Sequence, residues 1–139
     1  FVAAGGNEQR VYPWSSPATS TIITANHASY WIDATKECAG DGIDGCQGTD
    51  VVVAGSKGGQ SMQGHFDLAG NVKEWVLDYY FADYKSTCVN CAELDVSPDR
   101  VRRGGGYGSD KSAVAASARD HGPPLERSGT IGFRCAYGR

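Results

Sequence analysis

In FDLAGNVKEW, residues 66–75, the carboxylates of Asp67 and Glu74 stand on either side of a Gly-Asn pair. Gly70-Asn71 is a turn dipeptide, and Asp67 together with Gly70 disfavours a strand interior. VKEWVLDYY follows at once and reads as a strand carrying Trp75 and Leu77 on one face. A tight turn must therefore be held against the start of a strand with two negative charges beside it. Read locally, Asp67 caps neighbouring amides and the segment is a plain turn.

Five cysteines, at 38, 46, 88, 91 and 135, form the second chemically active set. Cys38 and Cys46 bracket a glycine-rich loop, and Cys88 and Cys91 form a Cys-x-x-Cys pair. These spacings read as two local disulfides of an exported protein, Cys38–Cys46 and Cys88–Cys91. Cys135 is then a buried thiol, or half of a bond to material outside the chain. Zinc would need two pairs with finger-like spacing, and the first pair is too far apart. A thioredoxin-like redox pair would need a strand-helix boundary in front of Cys88, and none is visible. His27, His65 and His121 are far apart, with no HxxxH or HxH pair, and no GxSxG elbow presents a serine.

The elements that position these groups are short. The 139 residues suit one domain, and 19 glycines with few runs of helix formers point to loops and strands with little helix. VVVAG at 51–55 reads as a short strand and residues 72–80 as the most secure one. In the last forty residues RVRRGGGY, AVAASAR and GTIGFRCAY read as three more, with GPP turning the chain between the last two. Strands set in long loops need fastening by disulfides or metal ions. A net charge of −3 argues against nucleic acid as a partner, since the basic run Arg100, Arg102, Arg103 is too short to make a phosphate-binding face. No apolar stretch approaches the ~20 residues of a membrane span.

FDLAGNVKEWVLDYY, then RVRRGGGY, then GFRCA resemble in order the signature of the formylglycine-generating enzyme, or sulfatase-modifying factor, family. RVYPW near the start and the loop DGCQGT at 44–49 resemble further family segments, so the likeness covers essentially the whole chain. FVAAGG is similar to the tail of another family motif, which implies a domain lacking its N-terminal half, or completed by another chain. The implied fold is α+β and C-type-lectin-like, loop-rich, with short antiparallel strands and little helix.

The resemblance also implies calcium at the turn, with side-chain oxygens from Asp67 and Glu74 and backbone carbonyls from Gly70 and Val72. A hard cation wants six to eight oxygens, which a glycine-kinked loop can turn inward. A second ion is implied at the Asp44 carboxylate and the Cys46 carbonyl with Ser29 and Tyr30, although the family usually has Asn where Ser29 stands. The alternative there is a Gly/Asp-rich surface loop pinned by Cys38–Cys46. DGIDGCQGTD is not an EF-hand loop, because its glycine and final acid fall at the wrong offsets.

Oxidase members of the family hold copper through two cysteines a few residues after the Arg-Gly-Gly motif. Here that segment reads GGGYGSDKSAVAASAR, with no cysteine between Cys91 and Cys135. Cu(I) needs soft sulfur ligands, and Ser109 or Asp110 cannot replace them. The face that binds ligands in this fold would instead carry Tyr107, Ser109, Asp110, Lys111, Arg119, His121 and Arg127. Trp75 and Phe133 are expected in the core. Lys73, where the family usually has Trp, implies an exposed strand face. The reading is a calcium-stabilised, non-oxidase, extracytoplasmic binding or structural module, its ligand a small molecule, glycan or protein. A family enzyme using non-copper chemistry on a small molecule is the alternative.

Overall fold

A computed structural model describes residues 2–83 and 92–135. Its regular elements are two 3-10 turns, Gly6–Glu8 and Gly48–Asp50, and four strands: β1 (Lys73–Tyr79), β2 (Arg100–Arg103), β3 (Asp120–Gly122) and β4 (Ile131–Gly132). The strands form one sheet in the order β3-β2-β1-β4. β1 pairs antiparallel with β2, setting Trp75 opposite Arg102, and β2 pairs antiparallel with β3, setting Arg102 opposite Asp120. β4 joins the other edge of β1 in parallel. This loop-rich, little-helix architecture is the expected one.

The core is small and sits in the loops rather than under the sheet. Tyr12, Ala28, Tyr30, Ala69 and Val114 are buried together, with Val11, Trp14, Ile23, Ile32 and Ala115 packed around them. Tyr12 and Tyr30 bring hydroxyls into this cluster, and each donates to a carbonyl, of Lys111 at 2.9 Å and of Ile23 at 3.2 Å. Buried phenols need such partners. Trp14 stacks between Tyr12 and His27.

Two expected strands are absent, each for a local reason. AVAASAR lies in a chain of turns started by Asp110, whose Oδ1 accepts from the Ser112 amide at 2.8 Å, the Ala113 amide at 3.0 Å and the Ser112 hydroxyl at 2.6 Å. An aspartate that captures the amides ahead of it competes with a strand ladder. VVVAG has no strand neighbour. Val52 instead gives its N–H to Asn71 Oδ1 at 3.0 Å, and its carbonyl accepts from Asn71 Nδ2 at 3.1 Å. Phe133 is also not in the core; it is 77 % exposed, because β4 ends at Gly132 and leaves the ring beyond the sheet edge.

The 66–75 turn is the hub of these loops. Asp67, Gly70 and Asn71 all have left-handed backbone, with φ of 55°, 80° and 65°. A side chain at Gly70 would meet the Ser29 carbonyl oxygen at 2.4 Å, so only glycine lets the two backbones touch. The Gly70 amide donates to the Gly104 carbonyl and the Asn71 amide to the Ser29 carbonyl, both at 2.8 Å, while the Asn71 carbonyl accepts from Tyr107 N–H at 2.8 Å. With the Asn71 side chain on Val52, the loops around Ser29, Val52 and residues 104–107 are thereby fastened to the start of β1. A single Gly-Asn pair does that.

Candidate functional site

Lys73, at the start of β1, and Arg102 and Arg103, on β2, project toward the segment 105–120 and enclose a pocket of about 270 Å³ with Ser109, Arg119 and Asp120. Four of these six side chains are cationic and one is anionic, on a chain whose net charge is −3. Asp120 ties the cations together. Its Oδ2 lies 2.6 Å from Lys73 Nζ and 3.1 Å from Arg102. Burial pushes the Asp120 carboxyl up, but hydrogen bonds from Lys73 and the His121 amide, with the charges of Lys73 and Arg102, outweigh it and hold the group below its ordinary value.

Arg102 is the buried member, its side chain 8 % exposed. Besides Asp120 it pairs with Glu126 Oε2 at 2.9 Å, donates to the His121 carbonyl and lies over the Trp75 ring at 5.2 Å. Its Nε has no hydrogen-bond partner. Arg103 donates to the carbonyls of Ala118 at 2.9 Å and Ser117 at 3.2 Å, and Arg119 lies over the Tyr80 ring. Ser109 Oγ accepts from the Gly106 amide at 3.0 Å, and no histidine lines the pocket among the described residues. Charged side chains therefore dominate the lining, with Ser109 Oγ engaged as an acceptor.

The residues expected on the ligand face are only partly brought together. Ser109 and Arg119 line the pocket. Asp110 caps the following turn, held below its usual carboxylate range chiefly by the Ser112 hydroxyl. Lys111 is exposed, and the Tyr107 amide is bonded to the Asn71 carbonyl. His121 points elsewhere, stacking on Tyr80 at 3.8 Å and pairing with Asp99 at 2.6 Å. Arg127 lines a separate groove with Trp75, Leu125 and Phe133. Sequence reasoning missed Lys73, Arg102, Arg103 and Asp120. Lys73 in place of the family's Trp was the available signal, and its side chain proves to be mostly covered and ion-paired.

At the turn, the expected ion ligands meet a different cation. Arg134 takes both Glu74 oxygens at 2.6 Å and donates to the Asp67 carbonyl at 3.0 Å and the Phe66 carbonyl at 3.2 Å. The Glu74 hydrogen bond, with the charges of Glu74 and Asp67, raises the Arg134 pKa further. Asp67 Oδ2 itself accepts from Gly55 N–H at 2.6 Å. Among the described residues no hydrogen bond engages the Gly70 or Val72 carbonyl. Of the second set, Ser29 spends its hydroxyl on the Asp50 carbonyl and its own carbonyl on Asn71. The Tyr30 amide donates to the Cys38 carbonyl, and Asp44 is exposed. Cys38 and Cys46 are joined as a disulfide. Among the described residues no group of three or more His, Cys, Asp or Glu side chains could hold a metal. Cys88 and Cys91 lie outside the described residues, and Cys135 is exposed and forms no disulfide within them.

The family described as "Sulfatase-modifying factor enzyme 1-like domain" matches residues 1–138. The chain belongs to that family. It is 30 % identical over 144 residues to the formylglycine-generating enzyme of Thermomonospora curvata, covering 98 % of this chain and 46 % of that protein. Against the bovine (Bos taurus) protein named inactive C-alpha-formylglycine-generating enzyme 2, identity is 32 % over 144 residues, with 99 % and 41 % covered. The solved structure of PvdO from Pseudomonas aeruginosa matches with a TM-score of 0.70 at 23 % identity, covering 95 % of this chain and 46 % of that one. The chain thus spans less than half the length of the curated relatives it matches. Its fold is the loop-rich α+β, C-type-lectin-like fold of sulfatase-modifying factor relatives. No helix among the described residues is long and apolar enough to cross a membrane.

Proposed function

We propose that this chain is part of a non-oxidase, formylglycine-generating-enzyme-like domain that serves as an extracytoplasmic binding module. One observation carries the reading. In the segment where the family's oxidase members carry paired copper-binding cysteines, this chain has Ser109 in the wall of a cationic pocket and no cysteine between Cys91 and Cys135. Without thiolates the pocket has no ligand set for Cu(I). The bovine relative named inactive is as similar as the bacterial one named an enzyme, which fits a family containing both. The Cys38–Cys46 disulfide supports an oxidising compartment. The test is incubation with copper and a cysteine-containing sulfatase peptide. No aldehyde is expected, and aldehyde above a boiled control would overturn the reading.

Calcium at the turn belongs to the same proposal. Asp67, Gly70, Val72 and Glu74 would hold it, and it would have to share Glu74 with Arg134. The two unused carbonyls and the left-handed backbone at Asp67 and Asn71 support such a site. An ion that binds only the folded state adds about 2.7 kcal/mol at a hundredfold excess over its dissociation constant. Chelator should therefore lower the melting temperature by several degrees, with magnesium a poor replacement and Glu74→Gln unresponsive. An unchanged melting curve would mean that Arg134 alone supplies the positive charge.

A partner surface is the remaining element. The accessible area of 8672 Å² exceeds the about 7,000 Å² of a compact monomer of this mass. Leu77, Leu125 and Phe133 are among the exposed large side chains, beside grooves that flank Trp75. A second chain supplying the remaining part of the domain would cover them.

A further inference from the structure

We infer that the groove between β1, β4 and the 124–128 loop seats a polypeptide segment from outside this chain that carries a bulky apolar side chain next to a carboxylate. This gives the partner surface proposed above a definite chemistry and rests on that reading. The groove holds about 350 Å³ and is walled by Trp75, Pro124, Leu125, Ile131 and Phe133. Leu125 is 90 % exposed and Phe133 77 %. Single exposed apolar side chains are ordinary, but two that line one concave surface beside a tryptophan are the makings of a binding site.

Charge selects the neighbour of that apolar side chain. Three polar residues also line the groove, and two are engaged: Glu126 Oε2 pairs with Arg102 at 2.9 Å, and the Ser128 hydroxyl hydrogen-bonds with Thr130 Oγ1 at 2.9 Å. Arg127, the third, is exposed and has no hydrogen bond or ion pair among the described residues. Its guanidinium is the uncompensated charge of the groove, and its planar donors match a carboxylate. Aromatic side chains with an arginine are what protein-binding surfaces are enriched in. Extent favours a polypeptide over a small molecule. A second groove, of about 620 Å³, shares Trp75 and carries Leu77, 62 % exposed, so the apolar surface runs beyond the reach of one ring. The accessible area of 8672 Å² exceeds that of a compact monomer by roughly 1,700 Å², about twice what one partner buries in a standard interface. The matched relatives carry more than half of their length outside the part this chain covers, a source for such a segment.

Blocked tripeptides, acetylated and amidated, test both halves of the inference on this chain: Glu-Phe-Leu, Leu-Phe-Glu, Gln-Phe-Leu and Lys-Phe-Leu. Binding is read from the NMR shifts of the Trp75 indole N–H and the Ile131 amide. Saturable shifts are expected, with at least one glutamate peptide about threefold tighter than the glutamine one, the worth of an exposed ion pair. Arg127→Glu should reverse the order and favour the lysine peptide. Leu125→Ala, at an exposed position whose truncation leaves the fold intact, should weaken every peptide several-fold. No saturable shift of these signals at peptide concentrations on the order of 10 mM, where even millimolar affinity shows, overturns the inference. So does an order of affinities that Arg127→Glu leaves unchanged. Sedimentation of the chain alone supplies the other refuting outcome: self-association that Leu125→Ala abolishes would make the occupant a second copy. The peptide-aldehyde assay is a separate readout, so a negative result here leaves the non-oxidase reading standing.

Discussion

Gly70→Ala tests the hub that organises this fold, and Gly42→Ala supplies its control. Both glycines have left-handed backbone, with φ of 80° and 79°. They differ in surroundings. A Cβ at Gly42 meets nothing within 4 Å, whereas one at Gly70 lies 2.4 Å from the Ser29 carbonyl oxygen and 2.9 Å from Ala28 Cβ. Left-handed backbone costs an alanine roughly 1–2 kcal/mol at either site. Only at Gly70 must the two backbones also separate, which adds about 1–3 kcal/mol of overpacking. Separation stretches the 2.8 Å bond from Asn71 N–H to the Ser29 carbonyl, worth about 1 kcal/mol more. The sum for Gly70→Ala is about 3–6 kcal/mol, a large share of the about 5–15 kcal/mol that holds a domain together. Urea unfolding followed by circular dichroism measures it, with the midpoint falling far for Gly70→Ala and little for Gly42→Ala. The slope should be unchanged for Gly42→Ala, since its native packing is untouched. If the two variants lie within about 0.5 kcal/mol of each other, the scatter of ordinary surface changes, the close contact between turn and Ser29 does not exist and the hub argument fails.

Two other outcomes follow from the same geometry. The folded Asp120 carboxyl is held below its ordinary value, so the stability it contributes is present above the unfolded pKa and is lost as pH falls through the lower folded one. Asp120→Asn should therefore lower the melting temperature in the neutral region and flatten the acid limb below the ordinary value of 3.8, so that the two profiles converge in acid. An identical acid limb in both proteins would remove the Lys73–Asp120–Arg102 cluster from the account. Replacing Cys38 and Cys46 together by serine opens a loop with a sequence separation of 8 and should cost about 2–3 kcal/mol by the chain-entropy argument. Denaturant titration checks the magnitude, and intact mass before and after reduction counts the bonds present in the parent.

Much of the architecture was legible because it depends on residues whose backbone chemistry is local. Glycine and asparagine at 70–71 announce a turn wherever they fall, since the left-handed region is closed to most other residues. The apolar run that follows announced β1, and the ordered motifs announced the family, which matches residues 1–138. VVVAG at 51–55 and AVAASAR at 113–119 were misread because strand propensity reports a half-buried pleated surface, and neither segment was given one. Asn71 took the Val52 backbone with its side-chain amide, and Asp110 took the amides that a strand from Ala113 would have needed.

The candidate site divides along the same line. Sequence alone determined that the segment after Arg-Gly-Gly carries no cysteine before Cys135, which needs no coordinates and is what the non-oxidase proposal rests on. It also named Ser109 and Arg119. Only the tertiary structure decided that Lys73, Arg102 and Asp120, up to 47 residues apart, share one charge cluster, since strand register alone sets Arg102 opposite Trp75 on one side and Asp120 on the other. It likewise decided that Glu74 meets Arg134 across 60 residues. A carboxylate written in a sequence has a charge but no partner. Its partner is chosen by the sheet edge that brings β4, and the arginine just beyond it, alongside β1.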